Sequence, residues 1–200
     1  MSEVLATSAS LCTSSSVFHD VMRPECNLAV WERQSPAALE NLVTDNVQDA
    51  RFQTKRADLR QRLTQELEKS GFANGLERDE LIADVEMLAD HYCSILGLGE
   101  LDLRLEVVTT NSCRKWHADY VKARLITTYT GSGTQWLDQS DADRVRQGED
   151  PLRINSMSAG DVGIFKGKLA TDTPVIHRSP PIEGTGEKRL LLVLNPPESM

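Results

Sequence analysis

The segment "LDLRLEVV", residues 101–108, constrains the fold most, because Leu101, Leu103, Leu105 and Val107 alternate with Asp102, Arg104, Glu106 and Val108. Successive side chains of an extended chain point to opposite faces, so a period of two describes a strand with one apolar and one polar face. A helix would scatter the same leucines around its axis. Further strand-like runs follow at residues 122–129 ("KARLITTY"), 152–157, 161–166 ("DVGIFK"), 173–177 and 189–195 ("RLLLVLN"), separated by turn residues at Gly131-Ser132-Gly133, Gly160-Asp161 and Gly184 to Gly186. Several short strands punctuated in this way predict a sandwich or barrel.

Upstream of residue 100 the period changes. Phe52, Leu59, Leu63 and Leu67 recur at near-helical spacing among charged residues, and Leu81, Val85, Leu88, Tyr92 and Ile95 do so again, closed by Gly97 and Gly99. Both patterns predict helices with one buried stripe, and residues 26–32 predict a short strand. The expected class is therefore α+β: a mainly helical extension over residues 26–99, packed as one domain on a β core over residues 100–197. Two hundred residues, 40% of them apolar, suffice for one such core and not for two. Residues 1–25 begin with a Ser- and Thr-rich stretch too poor in apolar surface to offset its ordering entropy, and are expected to be disordered.

Charge narrows the partners. Thirty acidic against 22 basic residues give a net charge of −8, which repels phosphate backbones and anionic lipid, so nucleic acid is disfavoured. The amino terminus has no basic region before an apolar block, and no run is long enough to span a bilayer, so a cytoplasmic location without a membrane partner is expected. Cys12, Cys26, Cys93 and Cys113 lack metal-finger spacing and read as free thiols.

The stretch "KWHADY" carries the chemistry. His117 and Asp119 are two residues apart, so on extended backbone they share a face and can reach one cation. The site needs a third ligand, and His177 in "VIHRSP" is the only later histidine. Two imidazoles and a carboxylate make a facial triad, which leaves coordination positions open on ferrous iron. Arg189, twelve residues beyond His177, opens the most apolar strand; a cation there would face the far carboxylate of a metal-chelating dicarboxylate, or form a surface pair with Glu187 or Glu183. Thr127 and Tyr129 share a face of the strand after the ligand pair and either hydrogen-bond that co-substrate or satisfy the strand edge. Trp116 and Trp136 line a substrate mouth or pack in the core. The polar segment at residues 138–150 reads as a solvated loop or short helix, with a lid as the alternative.

The order "WHADY", "GSGTQWL", "AGDVGIFKG", "VIHRSPP" and "GEKRLLLVLN" resembles the double-stranded β-helix, a jelly-roll or cupin-like core, of the iron(II)- and 2-oxoglutarate-dependent dioxygenases. More closely, residues 26–197 resemble the bacterial family labelled domain of unknown function 1826. The first resemblance implies His117, Asp119 and His177 as iron ligands, Arg189 as partner of the 2-oxoglutarate carboxylate, and hydroxylation or oxidative demethylation of an unknown small molecule or protein. The second carries an association with zinc limitation. Cys113, four residues before His117, has no place in the dioxygenase pattern, and a thiolate beside two imidazoles favours zinc. The alternative is thus a non-catalytic zinc-binding protein of the same fold, engaged in metal homeostasis.

Overall fold

The computed structural model of the protein describes residues 8–197 apart from residues 37, 38, 40, 41 and 45. In chain order its elements are β1 (Ser8–Cys12), a 3-10 segment (Ser15–Met22), β2 (Cys26–Trp31), β3 (Ala50–Lys55), α1 (Leu59–Lys69), α2 (Leu76–Leu96), β4 (Glu100–Val108), β5 (Ala123–Thr130), β6 (Gln135–Trp136), α3 (Gln139–Arg146), β7 (Asn155–Ser156), β8 (Val162–Lys166), β9 (His177–Arg178) and β10 (Arg189–Asn195).

The strands form two sheets. Seven run in the order β1-β2-β8-β5-β10-β4-β3, and three in the order β7-β6-β9. Every pair is antiparallel except β1 with β2. The large sheet has a core on each face. On one, Leu101, Leu103 and Leu105 of β4 and Leu190, Leu192 and Leu194 of β10 pack with Leu63 of α1 and Leu81 and Leu88 of α2. On the other, Val108, Ile126, Phe165, Leu191 and Val193 form a smaller apolar cluster reached by Trp136 of the small sheet. Covering on both faces explains why β10 is apolar almost throughout and buried at all seven positions.

The alternation in β4 gains a meaning the sequence did not disclose. Its polar face does not look to bulk solvent: Asp102 is 3% exposed, and Arg104 and Glu106 line a cavity on the inner face. Helix α2 ends as predicted at Gly97, whose φ of 66° is the left-handed conformation that a residue without Cβ adopts at little cost.

The amino-terminal half differs from the expectation of a mainly helical extension. It supplies β1, β2 and β3 to the large sheet, two of them at its edges. Phe52 belongs to β3, where it pairs with Leu103, and α1 starts only at Leu59. The seven-residue step from Phe52 to Leu59 fits a helical stripe and a strand followed by a helix equally well, and pairing with β4 decides. Of residues 1–25, expected to be disordered, residues 1–7 lie outside the described residues and the rest are ordered. From Ser8 onward the chain forms β1, paired to β2, and then the 3-10 segment, which buries Val17, Phe18 and Val21. Among the described residues all four cysteines are free thiols, and no helix is long and apolar enough to cross a membrane.

Candidate functional site

The two predicted histidines meet because the backbone pairs them. His117 and His177 form an isolated antiparallel bridge, with His117 N–H donating to His177 O at 3.0 Å and His177 N–H to His117 O at 2.9 Å. Their rings lie 4.7 Å apart between centroids. Asp119, two residues along, brings its carboxylate to the same point, so that one ligand atom from each of His117, Asp119 and His177 lies within 4.8 Å of the others.

Hydrogen bonds select the tautomers. His117 Nδ1 faces Lys115 O at 2.8 Å and His177 Nδ1 faces Val175 O at 3.2 Å. A carbonyl only accepts, so each Nδ1 carries the proton and each Nε2 offers a lone pair. Both Nε2 atoms turn toward Asp119: His177 Nε2 is 3.2 Å from Oδ2, and His117 Nε2 is 3.7 Å from Oδ1. With no proton on His177 Nε2, Asp119 Oδ2 is buried without a hydrogen-bond partner. An orphaned carboxylate oxygen facing an imidazole lone pair, with a second imidazole lone pair beside the same carboxylate, is costly, and a divalent cation removes the cost. The donor set therefore fits a transition metal.

Arg124 holds the other carboxylate oxygen. Its Nη1 donates to Asp119 Oδ1 at 2.6 Å, while its Nε is anchored on Asn195 Oδ1 at 2.7 Å. Burial pushes the Asp119 carboxyl up, but a hydrogen bond and charge attraction from His177 in its cationic form, with Arg124 and His117, outweigh it and hold the group below its usual range. Burial, with His177 close by, lowers the His117 imidazole and favours the neutral form a metal needs.

Arg189 lies on the inner face of β10 with Leu191 and Val193, two residues that line the cavity beside His117 and His177. It is 0% exposed and is not itself a lining group. Its Nε donates to Ser132 O at 2.6 Å and its Nη2 to Thr128 Oγ1 at 3.3 Å, while Nη1 has no partner. Neither alternative pairing forms: Glu187 instead accepts from Ser132 N–H at 2.6 Å, and Glu183 from Asn111 Nδ2 at 3.0 Å. Burial lowers the guanidinium from its ordinary value, against the pull of Glu187, Cys113 and Glu106.

Thr127 and Tyr129 share a face, but it is the helix-covered one. Tyr129 packs in the helix-side core, and its hydroxyl donates to Asp84 Oδ2 of α2 at 2.8 Å. β5 puts its odd-numbered residues there, so neither side chain reaches the histidines. Cys113 is exposed and borders the same cavity as His117 and His177, at a φ of 54°, but its sulfur does not join the cluster of three ligand atoms. Trp116 stacks under the Arg178 guanidinium at 4.1 Å. The segment at residues 138–150 contains the short helix α3, capped by Asp138.

Sequence reasoning missed Arg124 and Asn195. Arg124 stands in "KARLITTY" as one cation on the polar face of a strand, and nothing local ties it to Asp119 or to a residue 71 positions away. The buried network of Arg33 and Asp84, joined at 2.8 Å through Nη2 and Oδ2, left no local trace either.

A seven-stranded sheet beside a three-stranded one, with His-x-Asp and a distal His meeting between them, resembles in fold the solved dioxygenase described next. The dioxygenase for auxin oxidation 1 from Arabidopsis thaliana, solved as a binary complex with 2-oxoglutarate, overlays with a TM-score of 0.54 at 9% identity, covering 97% of this chain and 94% of that one. A Pseudomonas putida prolyl-4-hydroxylase gives 0.47 at 13% identity over 90% and 96% of the two chains. A putative oxygenase from Shewanella oneidensis gives 0.47 at 10% over 94% and 89%. The first likeness, at 9% identity, is one of fold alone. The chain belongs to the family described as protein of unknown function (DUF1826), whose model matches residues 13–195. No curated protein matches it.

Proposed function

We propose that the protein is an iron(II)- and 2-oxoglutarate-dependent oxygenase. The observation that carries this reading is the convergence of one ligand atom each from His117, Asp119 and His177 within 4.8 Å, with a buried, unpartnered Asp119 oxygen facing His177 Nε2. Three protein ligands leave positions for a chelating co-substrate and for oxygen, where a closed structural zinc site would use four. Cys113, the candidate fourth ligand, stands outside the cluster, which favours the oxygenase over the zinc-handling alternative.

His117, Asp119 and His177 would hold the metal. Bound there with 2-oxoglutarate, iron would supply oxidative decarboxylation to succinate and oxidation of a substrate C–H bond, giving hydroxylation or oxidative demethylation. The chain's own residues orient and shield. Lys115 O and Val175 O fix the imidazole tautomers, and Arg124 occupies Asp119 Oδ1 so that Oδ2 alone is offered to the metal. Arg189 keeps Nη1 unpartnered on a fully buried guanidinium, the kind of donor that would take the far carboxylate of 2-oxoglutarate. Val108, Ile126, Leu191 and Val193 keep the cavity apolar around the reacting groups. In this reading the enzyme works in the cytoplasm on a small molecule or protein.

The test is turnover of 2-oxoglutarate by iron-loaded protein. Succinate formed by the wild type and not by His177→Ala supports the proposal; no succinate from iron-replete wild type under oxygen opposes it.

A further inference from the structure

The cavity beside the histidines has a volume of about 80 Å³ and opens to solvent, with Arg104, Arg124 and Arg178 in its lining against one acidic residue, Glu106. That is an unusual balance in a chain whose net charge is −8. Arg124 is committed to Asp119 and Asn195. The other two are not so committed.

Arg178 is held in place without a counter-ion. Its Nε donates to Gln135 Oε1 at 2.8 Å and its guanidinium lies on Trp116. Burial alone lowers its pKa, with no carboxylate opposing. Its terminal N–H groups have no partner among the described residues. Arg104 makes one long contact, Nε to Asp102 Oδ1 at 3.4 Å, and Asp102 is also faced by Arg51 at 3.7 Å. Its terminal N–H groups are likewise unclaimed. Arg104 and Arg124 also border a second, outer cavity, which adds Lys122 and the exposed rings and side chains of Tyr120 and Leu169.

We propose that the substrate of this site is a small organic anion, its carboxylate or phosphate gripped by Arg104 and Arg178 and its apolar body lying on Ile126, Leu191 and Val193. Two guanidinium groups with free donors recognise an oxyanion by paired, charge-assisted hydrogen bonds. The apolar floor rewards a carbon skeleton over a bare inorganic ion. The position is separate from the place assigned to the co-substrate. Arg189 pairs with Val108 and Val193 pairs with Arg104, so Arg104 lies four residues further along, about 13 Å at the ~3.3 Å rise of a strand. The inference rests on the oxygenase reading only in giving Arg189 to 2-oxoglutarate.

The test uses full-length protein loaded with zinc, which cannot turn over, and calorimetric titration with three probes sharing one ring: phenylacetate, phenyl phosphate and benzyl alcohol. At least one anion binds the wild type, and which one identifies the oxyanion; the neutral alcohol binds at least ten-fold more weakly. Arg104→Met and Arg178→Met each weaken the anion by about ten- to a hundred-fold and leave 2-oxoglutarate affinity within two-fold, whereas Arg189→Met has the opposite pattern. Arg104→Lys recovers part of the loss, and equal thermal midpoints show that the variants fold. The proposal is overturned if neither anion binds the wild type, if the alcohol binds as well as the anions, or if Arg189→Met alone abolishes anion binding. Anion binding that needs Arg104 in a protein that never binds 2-oxoglutarate would leave the anion site standing and sink the oxygenase reading instead.

Discussion

Arg189→Met is predicted to leave the metal-free protein nearly as stable as the wild type while removing its response to 2-oxoglutarate. The side chain is 0% exposed, donates to Ser132 O and Thr128 Oγ1, and leaves Nη1 unpartnered. Deleting two hydrogen bonds from a charged donor costs about 1.5–3 kcal/mol each. Against this, no ion pair joins Arg189 to a described residue, and relieving an uncompensated buried cation returns several kcal/mol. Methionine keeps most of the aliphatic stem, so the cavity term is small. The two effects offset, and the net change should fall within about 2 kcal/mol of zero. A guanidinium neutralised by a protein carboxylate would instead cost about 3–5 kcal/mol on removal. The assay is urea unfolding of metal-free protein, followed by unfolding of zinc-loaded protein with 2-oxoglutarate, which at a hundred times its Kd should add about 2.7 kcal/mol to the wild type and nothing to the variant. A loss above 4 kcal/mol, or an undiminished 2-oxoglutarate response, would refute the idea that this cation is kept for a ligand.

Other consequences follow from the same structure. Tyr129→Phe removes a donor from buried Asp84 and should cost about 1–3 kcal/mol in urea unfolding, while metal affinity stays unchanged because the hydroxyl lies on the helix-covered face. Arg124→Met frees Asp119 Oδ1 and should weaken zinc binding about 10- to 100-fold in chelator competition, with little change in unfolding midpoint; unaltered affinity would remove Arg124 from the site. Asp138 caps α3 through Asp141 N–H at 2.9 Å, and that bond holds its carboxyl below the ordinary value. Asp138→Ala should cost about 1 kcal/mol at neutral pH. A depressed folded value means that this contribution is complete above the unfolded carboxyl's value of about 3.9 and fades as pH falls through the folded one, so the gap between wild type and variant should narrow in acid.

What could be read from the sequence divides along physical lines. The strands β4 and β10 were legible because local patterns encode burial on one face or on both, and helix α2 because its stripe is long and ends in glycine. The triad was legible because His117 and Asp119 share a face by strand geometry and only one later histidine could join them. What stayed hidden depends on pairing between distant segments. Whether Phe52 continued a helix or began an edge strand was decided by β4, and whether Thr127 and Tyr129 faced the site or α2 was decided by which face of β5 the helices cover. Likewise the polar face of β4 looked like a solvent face until the small sheet closed over it and made Arg104 and Glu106 cavity residues.

The central claim is that His117, Asp119 and His177 form an open metal centre that takes 2-oxoglutarate. It is tested most directly by anaerobic titration of metal-free protein with iron(II) and then 2-oxoglutarate, following the weak visible charge-transfer band of the chelated complex. A three-ligand centre gives a band that saturates at one equivalent of iron and is absent in His177→Ala. No band in the wild type, together with tight stoichiometric zinc binding, would contradict it.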